Sequence, residues 1–294
     1  MEEATLSRNV NRFWAAPFIS VLLTVSPAHA QKAYSPGASD TEIKLGQSTP
    51  LSGPASAFGA GAGRAVVGYF EMLNEKGGIN GRKISFTQLD NAYSAAKAVE
   101  QSRKLVDDVG VLAEVGTIGT VPNVAIQRYL NSKQVPQLFI TAGGRRFNDP
   151  KTFPWTVPLY PDFETEGRVV AKYILKSKPD AKIGVLYQND DYGKDYLKGL
   201  KDGLGDKAAS MIVAEDAYEI AEPTIDTHVV KMKSLNADVF IDVTGPKFAA
   251  QAIRKAAEIG WKPLHFLNSV SSSIGAVIVP AGPENAQASF RWLI

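Results

Sequence analysis

Cysteine is absent from all 294 residues of the chain. Its absence excludes disulfide bonds, cysteine nucleophiles and thiolate metal sites. An excess of charge of one sign is also missing, because 32 Lys and Arg against 30 Asp and Glu leave a net charge of only +2. This balance gives no argument for a nucleic-acid partner. No long apolar run follows the N-terminal segment, so we expect no direct membrane insertion of the mature protein.

The first thirty residues have the pattern of a signal peptide. Arg8 and Arg12 precede a mostly apolar stretch at 13–25, and an A-x-A motif follows at 28–30. The apolar stretch is shorter than the ~20 residues that a membrane span requires. A buried or membrane-anchoring helix is the alternative, which the flanking pattern disfavours. We therefore expect cleavage after Ala30 and a periplasmic mature protein.

Strand and helix patterns alternate along the rest of the chain in units of ~30 residues, as parallel strands with crossover helices require. The pattern predicts an α/β protein with two doubly wound parallel-sheet lobes. Three prolines interrupt the alternation between 154 and 161. We place lobe 1 at 31–158 and a partial lobe 2 at 159–287. Residues 288–294 then form an atypical apolar tail.

The segment 42–82 carries the clearest functional signal. It predicts a short strand, a loop of small residues, a helix over 63–74 and a glycine turn at 77–81. Ligands bind at the carboxyl ends of strands in open α/β sheets. The loop from Ser52 to Phe58 therefore predicts one lip of a ligand pocket.

Two neighbouring loops predict the floor of the same pocket. Thr117 and Thr120 follow the third predicted strand, and Thr141, Ala142 and Gly143 follow the fourth. Small and hydroxyl residues at a helix N-terminus offer backbone N–H groups to an anion. From the local sequence alone, an ordinary threonine N-cap is an equally good interpretation.

The sequence predicts no cofactor and no metal. The glycines at 59–63 imitate a dinucleotide fingerprint, but Arg64 stands where its third glycine belongs. His228 and His265 lack metal-ligand spacing, and each is expected to be a surface or half-buried histidine. Asp190 and Asp191 follow a predicted strand. They could serve acid–base chemistry, although carboxylates at a helix start more often cap the helix.

The order and spacing of several short motifs match a known family. They are Leu51-Ser52-Gly53-Pro54, Phe58-Gly59, Gly77-Gly78-Ile79-Asn80-Gly81, Gly116 with Thr120, Tyr192-Gly193, and residues 256–260 before a strand. Across most of 42–287 the chain resembles the periplasmic substrate-binding proteins of branched-chain amino acid type ABC transporters.

The resemblance implies two lobes that close on a hinge over a ligand, and no enzymatic activity. In the family, the ligand carboxylate is held by groups that match Thr120, Thr141 and Gly143. The expected cleft walls are Phe58, Tyr192 and Thr244. The implied function is delivery of a small polar ligand (an amino acid, an amide, or an aromatic or aliphatic carboxylate) to an inner-membrane ABC permease. A ligand-sensing module of the same fold and an exported α/β enzyme using Asp190 or Asp191 are the alternatives.

The chain departs from the family pattern in two places. Amino-acid binders of the family carry an acidic residue after the strand near Leu267, where this chain has Ser269. The departure favours a carboxylate without an amine, or an amide; Arg145 could neutralise such an acid or be an ordinary solvated loop residue. Family members also continue well beyond 282–285. We therefore expect a truncated lobe 2 with an unpaired sheet edge, and poor solubility or weakened closure.

Overall fold

The computed structural model describes Met1 and residues 33–286. The predicted signal peptide, its cleavage site and the apolar tail therefore lie, Met1 apart, outside the described residues. The described part contains two all-parallel sheets, which agrees with the predicted α/β class. None of the helices in this part combines the length and the apolar composition that a membrane span requires.

The first sheet has five parallel strands in the order β2-β1-β3-β4-β5. The strands are β1 (Glu42–Thr49), β2 (Lys83–Asp90), β3 (Ala113–Val115), β4 (Gln137–Ile140) and β5 (Thr156–Pro158). The α-helices that follow the first three strands are α1 (Ser56–Glu75), α2 (Ala95–Arg103) and α3 (Thr120–Lys133). A π-helical stretch, Lys104–Val109, extends α2, and a 3₁₀ turn, Arg145–Asn148, connects β4 to β5.

The second sheet has four parallel strands in the order β7-β6-β8-β9. The strands are β6 (Ile183–Gln188), β7 (Ile212–Tyr218), β8 (Val239–Val243) and β9 (Leu264–Leu267). The helices are α4 (Phe163–Ser177), α5 (Asp191–Leu204), α6 (Ala208–Met211), α7 (Asp226–Ser234), α8 (Pro246–Glu258), α9 (Val279–Ala281) and α10 (Pro283–Ala286).

Both sheets share one topology, because the first strand of each lies between the second and the third. The connections therefore leave the first strand in opposite directions and open a crevice at its carboxyl end. This reversal of strand order is where open α/β sheets bind ligands. The crevices lie after β1 in the first sheet and after β6 in the second.

Helices α4 and α5 pack so closely that glycine is required at their crossing. A Cβ atom at Gly199 would collide with the carbonyl oxygen of Glu164, and one at Gly167 would collide with that of Tyr196. The contact buries Ile174 and Leu200 completely. It sets α4 against the N-terminal turn of α5, which faces the cleft.

Three sequence expectations differ from the structure. Helix α1 begins at Ser56 rather than at residue 63. The first two turns of α1 contain glycine and alanine where a helix normally shows large apolar residues, so the hydrophobic period is not visible there. Glycine is needed at position 59 because the helix packs directly on the backbone of Pro50. Strand β5 lies where the prolines predict a pause. The sequence also predicts a loop over 279–287, where the structure has the short helices α9 and α10. Strand β5 and helices α9 and α10 have only three or four residues each, which is too short to show a hydrophobic period.

Candidate ligand-binding cleft

A cavity lies where the carboxyl ends of the two sheets face each other. Its volume, counted as the space open to the centre of a water molecule, is about 40 Å³. Residues that follow the five strands of the first sheet line it, among them Ala55, Tyr93, Ile118, Thr141 and Tyr160. Residues at the ends of the four strands of the second sheet complete it, among them Gln188, Ile220, Gly245 and Val270. Every strand of both sheets therefore contributes to one small cavity.

Three long helices begin at this cavity without a side-chain cap. The N-cap residues of α1, α3 and α8 are Ala55, Gly119 and Gly245, and none of them makes a side-chain capping hydrogen bond. All three residues line the cavity. The first N–H groups of a helix lack intrahelical acceptors, and the helix dipole adds partial positive charge there. The three helix N-termini therefore supply partial positive charge at the cavity, which no basic side chain lines.

A chain of hydrogen bonds joins the two lobes across the cleft. Gln188 Nε2 lies 3.4 Å from the hydroxyl of Tyr93, and Gln188 Oε1 accepts from the hydroxyl of Tyr218 at 2.9 Å. The same Tyr218 oxygen accepts from the backbone N–H of Gly245 at 3.0 Å. Burial, and to a lesser degree the charge of Asp190, raises the pKa of Tyr93, so its phenol stays protonated.

Aromatic rings form much of the cavity wall. Phe163 and Tyr192 pack with their ring centroids 4.7 Å apart, and Phe248 packs against Tyr218 at 4.6 Å. Tyr192 donates its hydroxyl to the carbonyl of Thr244 at 3.3 Å. Because this hydroxyl is already engaged, Tyr192 presents an apolar ring face to the cavity.

Five of the nine predicted site residues line the cavity together. They are Phe58, Thr120, Thr141, Ala142 and Tyr192. They come from α1, from the start of α3, from the end of β4 and from the start of α5. The structure therefore brings both sheet ends onto the same cavity.

The other four predicted residues do not line the cavity. Ser52 donates its hydroxyl to Asp90 at 2.5 Å and fixes the loop after β1. Thr117 is buried, and its hydroxyl has no partner among the described residues. The carbonyl of Gly143 accepts from the backbone of Phe163 at 2.8 Å, and the hydroxyl of Thr244 donates to Asp242 at 2.6 Å.

The charged and titratable candidates do not line the cavity, and each of them pairs with another residue of the protein. Asp190 caps α5 by accepting from Gly193 N at 3.2 Å, and burial raises its pKa to about 6. The exposed guanidinium of Arg145 lies 3.5 Å from Asp162. Contrary to expectation, His265 is fully buried at 1% exposure beside Asp242, because it lies on the inner strand face of β9.

Several lining residues escaped the sequence reasoning, among them Tyr93, Tyr160, Phe163 and Gln188. Gln188 is the last residue of β6, and Tyr93 lies three residues beyond the end of β2. Both could therefore have been predicted, as Thr120 was, from the rule that ligands bind at the carboxyl ends of strands. Tyr160 and Phe163 lie beside β5, and without that strand no sequence signal assigned them to a sheet edge.

The family model for periplasmic binding proteins matches residues 42–291. The chain belongs to the periplasmic binding protein family. The range of this match takes in every strand of both sheets and every residue of the cavity lining. Membership in this family agrees with the resemblance drawn from the motifs.

A curated relative of this periplasmic binding protein is the Leu/Ile/Val-binding protein homolog 3 of Brucella melitensis. The two are 27% identical over 226 residues, which are 75% of this chain and 57% of the relative. The chain thus spans less than two thirds of the length of that relative.

Solved structures show the same fold. A substrate-binding periplasmic protein from Ralstonia solanacearum superposes with a TM-score of 0.75 at 24% identity, over 83% of this chain and 68% of that one. A fatty acid ABC transporter substrate-binding protein from Thermomonospora curvata gives a TM-score of 0.74 at 22% identity, over 85% and 63% of the two chains. At these identities the likeness establishes the fold of a type I periplasmic binding protein.

Proposed function

We propose that the protein is an extracytoplasmic solute-binding protein that delivers a small ligand to an ABC permease of the inner membrane. In this proposal residues 1–30 direct export and are removed after Ala30. The observation that carries the proposal is the cavity, to which the carboxyl ends of all nine strands contribute. Membership in the periplasmic binding protein family supports it.

We further propose that residues 31–158 and 159–287 act as two lobes that approach each other when the ligand binds. Contacts at the rim of the cleft support this proposal. The backbone N–H of Arg145 donates to Asp195 at 2.7 Å, and the guanidinium of Arg146 lies 3.3 Å from Asp191. Together with the contact between Tyr93 and Gln188, these pairs hold the two sheet ends together. A permease could then distinguish loaded from empty protein by lobe closure.

The cavity is small, and the ligands expected for it are an amino acid, an amide, or an aromatic or aliphatic carboxylate. Isothermal titration calorimetry with members of each group tests the proposal. We expect one ligand per chain, bound without chemical change. Recovery of a chemically altered ligand after incubation would contradict the proposal and favour an enzyme.

A pair of variants on one helix connects this binding to the cavity. Phe58→Ala removes a wall of the cavity from the first turn of α1. Phe70→Ala makes the same change on the same helix, where the ring packs on Phe86 with centroids 5.0 Å apart. We expect Phe58→Ala to weaken binding at least tenfold and Phe70→Ala to leave the dissociation constant unchanged. An equal change of the dissociation constant in the two variants would mean that the ligand does not bind in this cavity.

A further inference from the structure

The ligand cavity has no charged side chain in its lining. Among the described residues that form it there is no Asp, Glu, Lys, Arg or His. Six aromatic rings contribute to the wall: Phe58, Tyr93, Tyr160, Phe163, Tyr192 and Phe248. A free amino acid would bring an ammonium group into this space. Burying an ammonium without an anionic partner costs several kcal/mol.

Two buried carboxylates beside the cavity lining, Glu166 and Asp190, are already engaged. Both oxygens of Glu166 are held by Ser269, through its backbone N–H and its hydroxyl, each at 2.7 Å. Burial raises the pKa of Glu166, which further disfavours its anionic form. Asp190 accepts from Gly193 and from Gln188 Nε2, and it does not line the cavity. Neither carboxylate is free to receive a ligand ammonium.

Two hydroxyls of the cavity lining, those of Tyr93 and Thr120, can donate a hydrogen bond to a ligand. The Tyr93 oxygen lies 3.4 Å from the donor Gln188 Nε2, so the proton of Tyr93 is left for a ligand. Thr120 is only 2% exposed and lines the cavity, and its hydroxyl has no hydrogen-bond partner among the residues that the structure describes. This hydroxyl lies on the first turn of α3, one of the three helices that begin here uncapped.

We infer that the ligand is a small monocarboxylate with an apolar body and no ammonium group. The inference rests on the proposed function and names the ligand class of its cavity. The carboxylate binds the hydroxyls of Tyr93 and Thr120 at the start of α3. The apolar body lies among the aromatic rings. The helix N-termini, rather than a basic side chain, compensate the negative charge.

Two series of matched compounds test this inference by calorimetry. One compares 3-phenylpropanoate with phenylalanine, which adds the ammonium, and with 3-phenylpropanamide, which removes the charge. The other compares 4-methylpentanoate with leucine and 4-methylpentanamide. We expect at least one acid to bind about 100-fold more tightly than its amino acid, as the loss of an unpaired buried charge implies. Tighter binding of leucine or phenylalanine than of the matching acid would overturn the inference.

The amides separate the ligand class from the proposed function. If an amide or amino acid binds in the cavity and both acids fail to bind, the monocarboxylate class is wrong and the solute-binding function stands. If no small solute of either series or of the wider panel binds, the result counts against both.

Hydroxyl deletions test the position of the carboxylate. Tyr93→Phe and Thr120→Val should each weaken binding of the acid about tenfold, the usual worth of a hydrogen bond to a charged group. Each should weaken the amide less, so the ratio of acid to amide affinity falls. Tyr129→Phe is the matched control, because its hydroxyl pairs with Asp107 at 2.9 Å on the outer side of α3. An unchanged ratio in both variants would overturn the assignment.

Discussion

Glu114 is a buried carboxylate in the middle of the first sheet, and it should make the protein less stable as the pH rises. It lies on β3 with 1% of its surface exposed. The hydroxyl of Ser102 on α2 donates to one carboxylate oxygen, and the other oxygen has no partner among the described residues. Burial therefore raises the pKa of Glu114 from 4.5 to about 7.

The raised pKa fixes the sign and the window of the effect. The folded protein holds the proton of Glu114 more tightly than the unfolded chain does. The stability that this proton supplies is complete below pH 4.5 and is lost as the pH rises to about 7. One pKa unit corresponds to about 1.4 kcal/mol, so the loss amounts to about 3 kcal/mol.

Glu114→Gln keeps the shape of the side chain and removes its ionisation. We expect the variant to match the wild type in free energy of unfolding near pH 4.5 and to exceed it by about 3 kcal/mol at pH 8. Urea unfolding followed by circular dichroism at several pH values measures the difference. Glu71→Gln, on an exposed face of α1, is the control and should change neither value. Parallel pH profiles for the wild type and Glu114→Gln would refute the reasoning.

Two further predictions concern the second sheet. Gly199→Ala should destabilise the protein by about 2–3 kcal/mol, because the added methyl meets a backbone carbonyl of α4. Gly68→Ala on α1 is the control: the space around it is open, and the better helix propensity of alanine should stabilise the protein by about 0.5–1 kcal/mol. Similar melting temperatures for the two variants would contradict this prediction. Partial burial opposes protonation of His228. The hydrogen bonds that its protonated ring donates to Glu222 and Asp216, each at 2.9 Å, outweigh this effect and raise its pKa above 6.5. Wild-type stability should therefore fall by about 0.5–1 kcal/mol as the pH rises through that raised pKa, and His228→Gln should lose this step in urea unfolding curves.

Residue patterns predict several elements of the fold at their observed positions. The sequence predicts strands at 137–140 and 264–267, which coincide with β4 and β9, and a helix over 95–109, which covers α2 with its π-helical extension. The start of α1 was missed because glycine and alanine at its first turns carry no apolar stripe. Strand β5 was missed because three residues between prolines show no alternation.

The sequence reasoning located the cavity better than it identified its lining. Thr120 and Thr141 were found because each follows a strand that periodicity makes visible. Thr117 and Thr244 follow strands too, yet neither lines the cavity, and the hydroxyl of Thr244 donates to Asp242 instead. Which residue after a strand faces the cleft depends on the exact strand end and on the conformation of the loop. A residue pattern predicts neither the strand end nor the loop conformation to the exact residue.

The hydroxyl of Tyr93 connects the inferred ligand chemistry to lobe closure. It belongs to the loop after β2, and its partner Gln188 ends β6 of the second sheet, 3.4 Å away. A ligand carboxylate that accepts a hydrogen bond from Tyr93 would polarise the O–H bond, increase the partial negative charge on the Tyr93 oxygen and strengthen its attraction for the Gln188 amide. The amide carbonyl in turn holds Tyr218, which receives the N–H of Gly245 at the start of α8. Hydrogen bonds in such a chain polarise one another. A neutral amide would strengthen the chain less, so the same hydroxyl that favours an anion would also bring the two lobes together around it.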